Sequence, residues 1–194
     1  MAAPTIRQAD PRRDGEACAA IYAPFVKDSA VSFEEVAPSG EEMGRRIEQT
    51  SARYPWLVAE RGDEVAGFAY GATHRSRAAY RWAADISAYI GEDHRGQGLG
   101  TGLYRVLLDL LRGQGIQVAA AGITLPNPAS VALHESLGFA QVGVWRRIGW
   151  KDGAWRDVGW WQLDLIPAGD APPAEVRPPI GPDNPRGGRQ EAES

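Results

Sequence analysis

Apolar and polar residues change period several times along this chain, and each change predicts an element. Thr5 to Gln8 suits a short first strand. Asp10-Pro11 opens a helix carrying Ala17, Ile21, Tyr22 and Phe25, which Pro24 is expected to end or kink. Pro38-Ser39 starts a second helix, with Ser39 placed to cap it. Trp56-Leu57-Val58-Ala59-Glu60, a turn at Arg61-Gly62-Asp63-Glu64, and Val65 to Tyr70 make a hairpin. Trp82 to Ile90 follows as a buried strand broken by one carboxylate, Asp85. From about Gly98 to Gln114 the spacing of Leu103, Val106, Leu107, Leu110 and Leu111 predicts an amphipathic helix. Val118 to Ile123 is a further short strand, and Pro128 to Leu137 a short helix stopped by Gly138. Two late strands, near Gln141–Trp150 and Ala154–Leu165, meet at Lys151-Asp152-Gly153.

Strands and helices alternating through residues 5–166 predict one α/β (α+β) domain, here bounded at 1–166. Pro167 to Ser194 holds seven of the fourteen prolines and almost no large apolar side chain, so residues 167–194 are expected to be a disordered tail without a catalytic role. The net charge of −4 argues against nucleic acid or an anionic membrane as partner. A single Cys18 suits a reducing cytoplasm, and the N-terminus lacks the apolar core of a signal peptide. His74, His94 and His134 are scattered without ligand spacing, so no metal is expected.

The densest chemistry lies between the Asp85 strand and the leucine-rich helix. Arg95-Gly96-Gln97-Gly98-Leu99-Gly100-Thr101-Gly102 sets four glycines at alternate positions. Strand, glycine turn and helix together offer unblocked N–H groups and a positive helix end to an anion. The dinucleotide pattern G-x-G-x-x-G fails, because glycine is missing at Thr101 and at Leu103. A P-loop fails too, since no Gly-Lys pair occurs. Arg95-x-x-Gly98-x-Gly100 resembles the pyrophosphate loop of the GNAT acyl-CoA N-acetyltransferases.

Tyr54-Pro55-Trp56-Leu57-Val58-Ala59-Glu60, Asn127-Pro128-Ala129-Ser130, His134-Glu135-Ser136-Leu137-Gly138-Phe139 and Asp157-Val158-Gly159-Trp160-Trp161-Gln162-Leu163 extend the likeness across residues 5–166. Together these strings resemble the phosphinothricin and methionine sulfoximine N-acetyltransferases within that superfamily. The resemblance implies a GNAT fold, with a central mixed, splayed sheet flanked by helices. It implies acetyl transfer from acetyl-CoA to the primary amine of a small amino-acid-like acceptor, and a homodimer. Alternatives that keep the fold are an acceptor of another kind (polyamine, aminoglycoside or protein N-terminus) or a non-catalytic CoA-binding module.

Such a transfer needs a base for the amine, donors for the developing oxyanion and a proton for the departing thiolate. Asp85 is the expected base, in a place where the family usually has Glu, with the shorter arm acting directly or through water. The alternative is a carboxylate satisfied by backbone amides or by Arg81. His134 stands where the superfamily often carries a proton-donating Tyr, and its other reading is a helix histidine bonding a carbonyl. The resemblance places Ala88, Tyr89 and Ile90 at the oxyanion and pantetheine, and Arg95, Gly96, Gln97, Gly98, Leu99, Gly100 and Thr101 at the diphosphate. Asn127 and Ser130 are expected to assist, with an ordinary helix cap as the plain use of Asn127. Arg75 and Arg77 could grip an acceptor carboxylate or phosphinate, with Ala78, Ala79 and Tyr80 alongside and Phe33 as an aromatic wall. No nucleophile is expected to carry the acetyl group, so attack is direct in a ternary complex. The tryptophans of the last two strands are expected in the core or a dimer interface.

Overall fold

Eleven switches of period become eleven elements: β1 (Thr5–Gln8), α1 (Pro11–Lys27), α2 (Gly40–Ser51), β2 (Trp56–Arg61), β3 (Glu64–Thr73), β4 (Ala83–Ile90), α3 (Leu99–Gln114), β5 (Val118–Leu125), α4 (Pro128–Ser136), β6 (Ala140–Lys151) and β7 (Ala154–Asp164). A computed structural model describes residues 4–169 and 171–179. Local chemistry explains the boundaries. Asp10 accepts from the N–H groups of Arg12 and Arg13 at the head of α1, and Ser39 caps α2 through the Glu42 N–H. Gly115, at φ +92°, ends α3 in the left-handed conformation. Asp152 and Gly153, at φ 51° and 69°, turn β6 into β7, as a two-residue hairpin of this hand requires.

Pro24 does not end α1, which runs on to Lys27. Tyr22 and Val26 are buried on either side of it. Burying two such side chains is worth about 1.5–3 kcal/mol each, enough to offset the roughly 3 kcal/mol that an internal proline costs. Two short 3-10 turns, Ala78–Tyr80 and Glu92–His94, are absent from the sequence expectation.

The strands form one sheet in the order β1-β2-β3-β4-β5-β7-β6. All neighbours are antiparallel except β4 and β5, which α3 joins by the crossover that parallel strands need. Successive side chains of a strand face opposite ways. On one face Leu57, Ala59, Ala69, Ala84 and Ile86 pack with Leu103, Leu107 and Leu111 of α3. On the other, Trp56, Val58 and Phe68 pack with Cys18, Tyr22, Met43 and Ile47 of α1 and α2. Asp85, between Ala84 and Ile86, therefore points to the α1/α2 face. No helix among the described residues is long and apolar enough to cross a membrane.

Part of the expected tail is fastened to the domain. Trp82 Nε1 donates to the Ala174 carbonyl at 2.8 Å, Arg81 pairs with Glu175 at 3.1 Å, and Val176 packs against the α3 cluster. Gln114 and Arg177 exchange hydrogen bonds at 2.8 and 3.0 Å. Disorder is thus corrected for these residues, which have donors, acceptors and an apolar side chain to satisfy on the domain. Residues 180–194 of that tail lie outside the described residues.

Candidate active site

The β4–β5 ladder is short. It pairs Ala83, Ala84 and Asp85 with Val118, Ala119 and Ala120, then stops, although both strands continue. Beyond Asp85 the two strands splay. Ala88, Tyr89 and Ile90 pair with β3 on one side only, through Ala69, Phe68 and Gly67. Their backbone thus offers an open edge at the mouth of the splay. The Tyr89 side chain is engaged elsewhere, against Tyr22, Phe25 and Phe68, so a ligand in the splay meets its main chain alone.

The glycine loop stands at the same end of the sheet. Gly96 and Gly98 have φ +71° and +77°, which L side chains rarely adopt, and open space lies where a Cβ would be. Gly100 has another reason for its size: a Cβ there would come within 3.1 Å of Leu133 on α4. No side chain caps α3, so the N–H groups of Leu99, Gly100 and Thr101 have no intrahelical acceptor. Gln97 Nε2 donates to the Asp93 carbonyl and steadies the loop at 2.9 Å. Arg95 lies over the Phe25 ring, 5.0 Å from its centroid.

Asp85 has a partner that the sequence reading missed. His74, just past β3, sets Nδ1 2.6 Å from Asp85 Oδ1. An ionised carboxylate only accepts, so Nδ1 carries the hydrogen. Burial raises the Asp85 pKa above the ordinary carboxylate value, and the His74 hydrogen bond and the charges of His74 and Arg75 oppose that rise. Arg81, the partner weighed from sequence, is instead stacked over Trp82 and paired with Glu175. The His74 ring stands edge-on to Tyr80 and to Trp160, at 5.7 and 5.9 Å. Arg75 lies over both Trp145 and Trp160, and Trp160 Nε1 is buried without a partner among the described residues. Trp161 is core, 2% exposed, as expected, whereas Trp160 and Trp145 stand at the rim of this cluster. Arg77, Ala78 and Ala79 are exposed on the same connection, and Arg77 forms no ion pair among the described residues.

His134 is on the other side of the sheet. Its ring packs against Tyr104 and Phe139 of the α3 cluster, and its Nδ1 is 2.7 Å from the Ser130 carbonyl. A carbonyl accepts, so this nitrogen is the donor, and the buried Nε2 has no partner among the described residues. Burial lowers the pKa, leaving the ring neutral at neutral pH with its lone pair on Nε2. That geometry has the contact expected of a carbonyl-bonded helix histidine. Asn127 caps α4, its Oδ1 accepting from the Ser130 N–H at 3.1 Å, which leaves its amide nitrogen and the second lone pair of Oδ1 for a ligand. Ser130 Oγ lies 3.5 Å from His134 Nδ1.

Phe33 packs on β6, where a Cβ on Gly149 would overlap its ring. Lys151, unsuspected from sequence, fastens that loop: buried, it donates from Nζ to the Val26 and Glu34 carbonyls, both at 2.7 Å. Arg46 grips both Glu34 oxygens and holds that carboxyl below its usual range. Lys151→Met is expected to lower unfolding stability by about 2 kcal/mol, because two buried carbonyls lose a charged donor; an unchanged urea midpoint would refute this anchoring. Cys18, on the α1/α2 face, is fully buried, and desolvation pushes its thiol up to about 12. It is not a nucleophile at neutral pH.

The acetyltransferase (GNAT) domain matches residues 6–160. The chain is 40% identical over 155 residues to the phosphinothricin N-acetyltransferase of Streptomyces viridochromogenes, covering 79% of this chain and 83% of that one. It is 39% identical over 120 residues to the L-methionine sulfoximine/L-methionine sulfone acetyltransferase of Pseudomonas paraeruginosa, covering 61% and 70%. The crystal structure of a GNAT superfamily phosphinothricin acetyltransferase from Sinorhizobium meliloti, in complex with AcCoA, superposes with a TM-score of 0.85 at 32% identity, over 90% of this chain and 96% of that one.

Proposed function

The chain belongs to the GNAT acetyltransferase family, and from that premise we propose that it moves the acetyl group of acetyl-CoA to the primary amine of a small amino-acid-like acceptor, of the phosphinothricin or methionine sulfoximine type, by direct attack in a ternary complex. The observation that carries this reading is the end of β4, where a half-buried carboxylate with a raised pKa sits at the point where the ladder to β5 stops.

The residues present fit the thioester. Open space at Gly96 and Gly98, uncapped N–H groups on α3 and an unpaired β4 edge suit a ligand with a diphosphate and an amide-bearing arm. Acetyl-CoA supplies the acetyl group in activated form. In this reading the backbone of residues 96–101 holds the diphosphate, and Arg95 shapes the loop. The main chain of residues 88–90 pairs with the pantetheine arm and donates to the developing negative charge. The Asn127 amide and Ser130 border the arm. His134 is held by its Nδ1–H on the Ser130 carbonyl, which leaves the Nε2 lone pair to face the departing thiol. Asp85 takes a proton from the acceptor amine, which then holds a free electron pair for attack. Arg75, braced by Trp145 and Trp160, pairs with the acceptor's carboxylate or phosphinate, with Arg77 and residues 78–80 around it and Phe33 on the far loop as aromatic wall.

Two further parts of the reading concern surroundings. The edge strand β6 exposes Val142, Val144, Ile148 and Trp150, an apolar row that pairing with a second copy would cover, hence a homodimer. Use of acetyl-CoA places the work in the cytoplasm.

Thiol release from acetyl-CoA across an amine panel containing phosphinothricin and methionine sulfoximine tests the whole; absence of turnover with every amine sinks it. Gly98→Glu is expected to weaken acetyl-CoA binding by more than about tenfold, since it sets a carboxylate in the diphosphate path. Gly98→Ala, strained at the same φ but uncharged, is the control. Calorimetry showing equal affinity for the Glu variant and the parent refutes the loop assignment.

A further inference from the structure

Two residues eleven apart in sequence meet because the β3–β4 register sets Thr73 opposite Ala84. Asp85 then lies opposite Ala72, and His74, two residues beyond Ala72 on the same face, reaches it as a diagonal cross-strand neighbour. The contact is short, 2.6 Å, and both side chains are largely withdrawn from water, 20% and 28% exposed. We propose that His74 is the positioning residue of this enzyme: by donating Nδ1–H to Asp85 it aims the carboxylate and keeps it ionised, so that the pair, and not a lone carboxylate, prepares the amine. This deepens the reading of Asp85 as base and rests on it.

The physical need is specific to a short acid at this place. Aspartate has one fewer side-chain bond than glutamate, so its oxygens reach about 1.5 Å less far from the strand. A carboxylate whose reach is limited gains more from being held in one rotamer. Half-buried beside apolar neighbours, it also needs a donor to stay charged. His74 provides both, and its own ring is held between Tyr80 and Trp160. The titratable or charged groups facing the pair are Arg75, whose Nη1 donates to the His74 carbonyl at 2.9 Å, and Tyr80. Trp145 and Trp160, packed on Arg75, do not titrate.

The step balances simply. One N–H bond of the acceptor ammonium breaks and one O–H bond forms on the Asp85 oxygen that His74 does not hold. The electron pair stays on nitrogen. Nδ1–H of His74 remains in place throughout, so His74 gains and loses no proton.

Three variants test this: His74→Phe, which keeps a ring and removes the donor; His74→Asn, whose amide can donate from near the Nδ1 position; and Asp85→Asn. In ligand-free protein with 13C-labelled aspartate, the Asp85 carboxyl is expected to titrate at higher pH in His74→Phe than in the parent, and close to the parent in His74→Asn. The sign follows from removing a hydrogen bond that favours the ionised form. In turnover, kcat/KM of His74→Phe should fall by about tenfold on the acid side and by less than about twofold at high pH, with His74→Asn restoring most of the loss. An Asp85 titration unmoved by His74→Phe overturns the proposal. So does equal loss in His74→Phe and His74→Asn at every pH, which would make the imidazole itself the proton carrier. Either result leaves the reading of Asp85 as base intact if Asp85→Asn is inactive. An Asp85→Asn enzyme with full kcat removes that reading instead, while the carboxyl titration still reports on the pair.

Discussion

Asp85→Asn is expected to lower kcat by about 10²- to 10⁴-fold near neutral pH, the range that a positioned acid-base group supplies. The amide occupies the same space and can still accept from His74, so the change removes basicity and leaves the packing. The loss should shrink as pH rises, because an acceptor amine already deprotonated in solution needs no base. As the proposed base, the same group is expected to set the acid limb of the parent enzyme's pH profile. Burial raises its pKa, so activity should fall at a pH above the ordinary aspartate value of about 3.9 as the carboxylate takes up a proton. Steady-state rates from acid to alkaline pH check both statements. A small and pH-independent loss would assign Asp85 a structural role only.

Arg7→Met is expected to cost about 3–5 kcal/mol of stability, the penalty for stripping the partner from a buried charge. Arg7 lies on β1 and reaches across to α1, donating to both Asp14 oxygens at 2.7 Å and to Glu60 of β2 at 2.6 Å. Asp14 is 1% exposed, and it also accepts the Asp10 N–H at 2.7 Å. Methionine fills the space and cannot pair, so the carboxylate loses both close hydrogen bonds and keeps only the Asp10 N–H and the more distant Arg13, 3.9 Å away. Adding Asp14→Leu to Arg7→Met should recover a large part of the loss, because no charge is then stranded. Urea unfolding of the parent, the single and the double variants gives the coupling directly. Near-parental stability for Arg7→Met would mean that water reaches Asp14 and that the network does not hold β1, β2 and α1 together.

Much of the active end was legible in the residues. Alternate glycines require either left-handed backbone or close approach, and the structure uses Gly96 and Gly98 for the first and Gly100 for the second. Asp85 stood out because a lone carboxylate in an apolar strand must find a partner or a purpose. Its partner did not stand out. His74 looked like one of three scattered histidines, since sequence distance says nothing about strand register; the clue available was a histidine ending one strand and an aspartate in the next. Trp160 and Trp161 are adjacent and chemically alike, yet the pleat sends one to the site and the other to the core. For His134, the residue type suggested proton transfer, whereas the burial around it favours the neutral ring against the Ser130 carbonyl one turn back, which accepts from Nδ1 and favours the charged form.

Residue periodicity, caps and turn chemistry are short-range, so the chain alone specified the element types, most of their ends, the anion-ready loop and the carboxylate in the strand. Registers, faces and distances depend on contacts between segments far apart along the chain. Folding therefore decided that β4 and β5 part after Asp85, that His74 rather than Arg81 meets it, that His134 lies behind the sheet, and that Pro24 is carried within a helix by the burial around it.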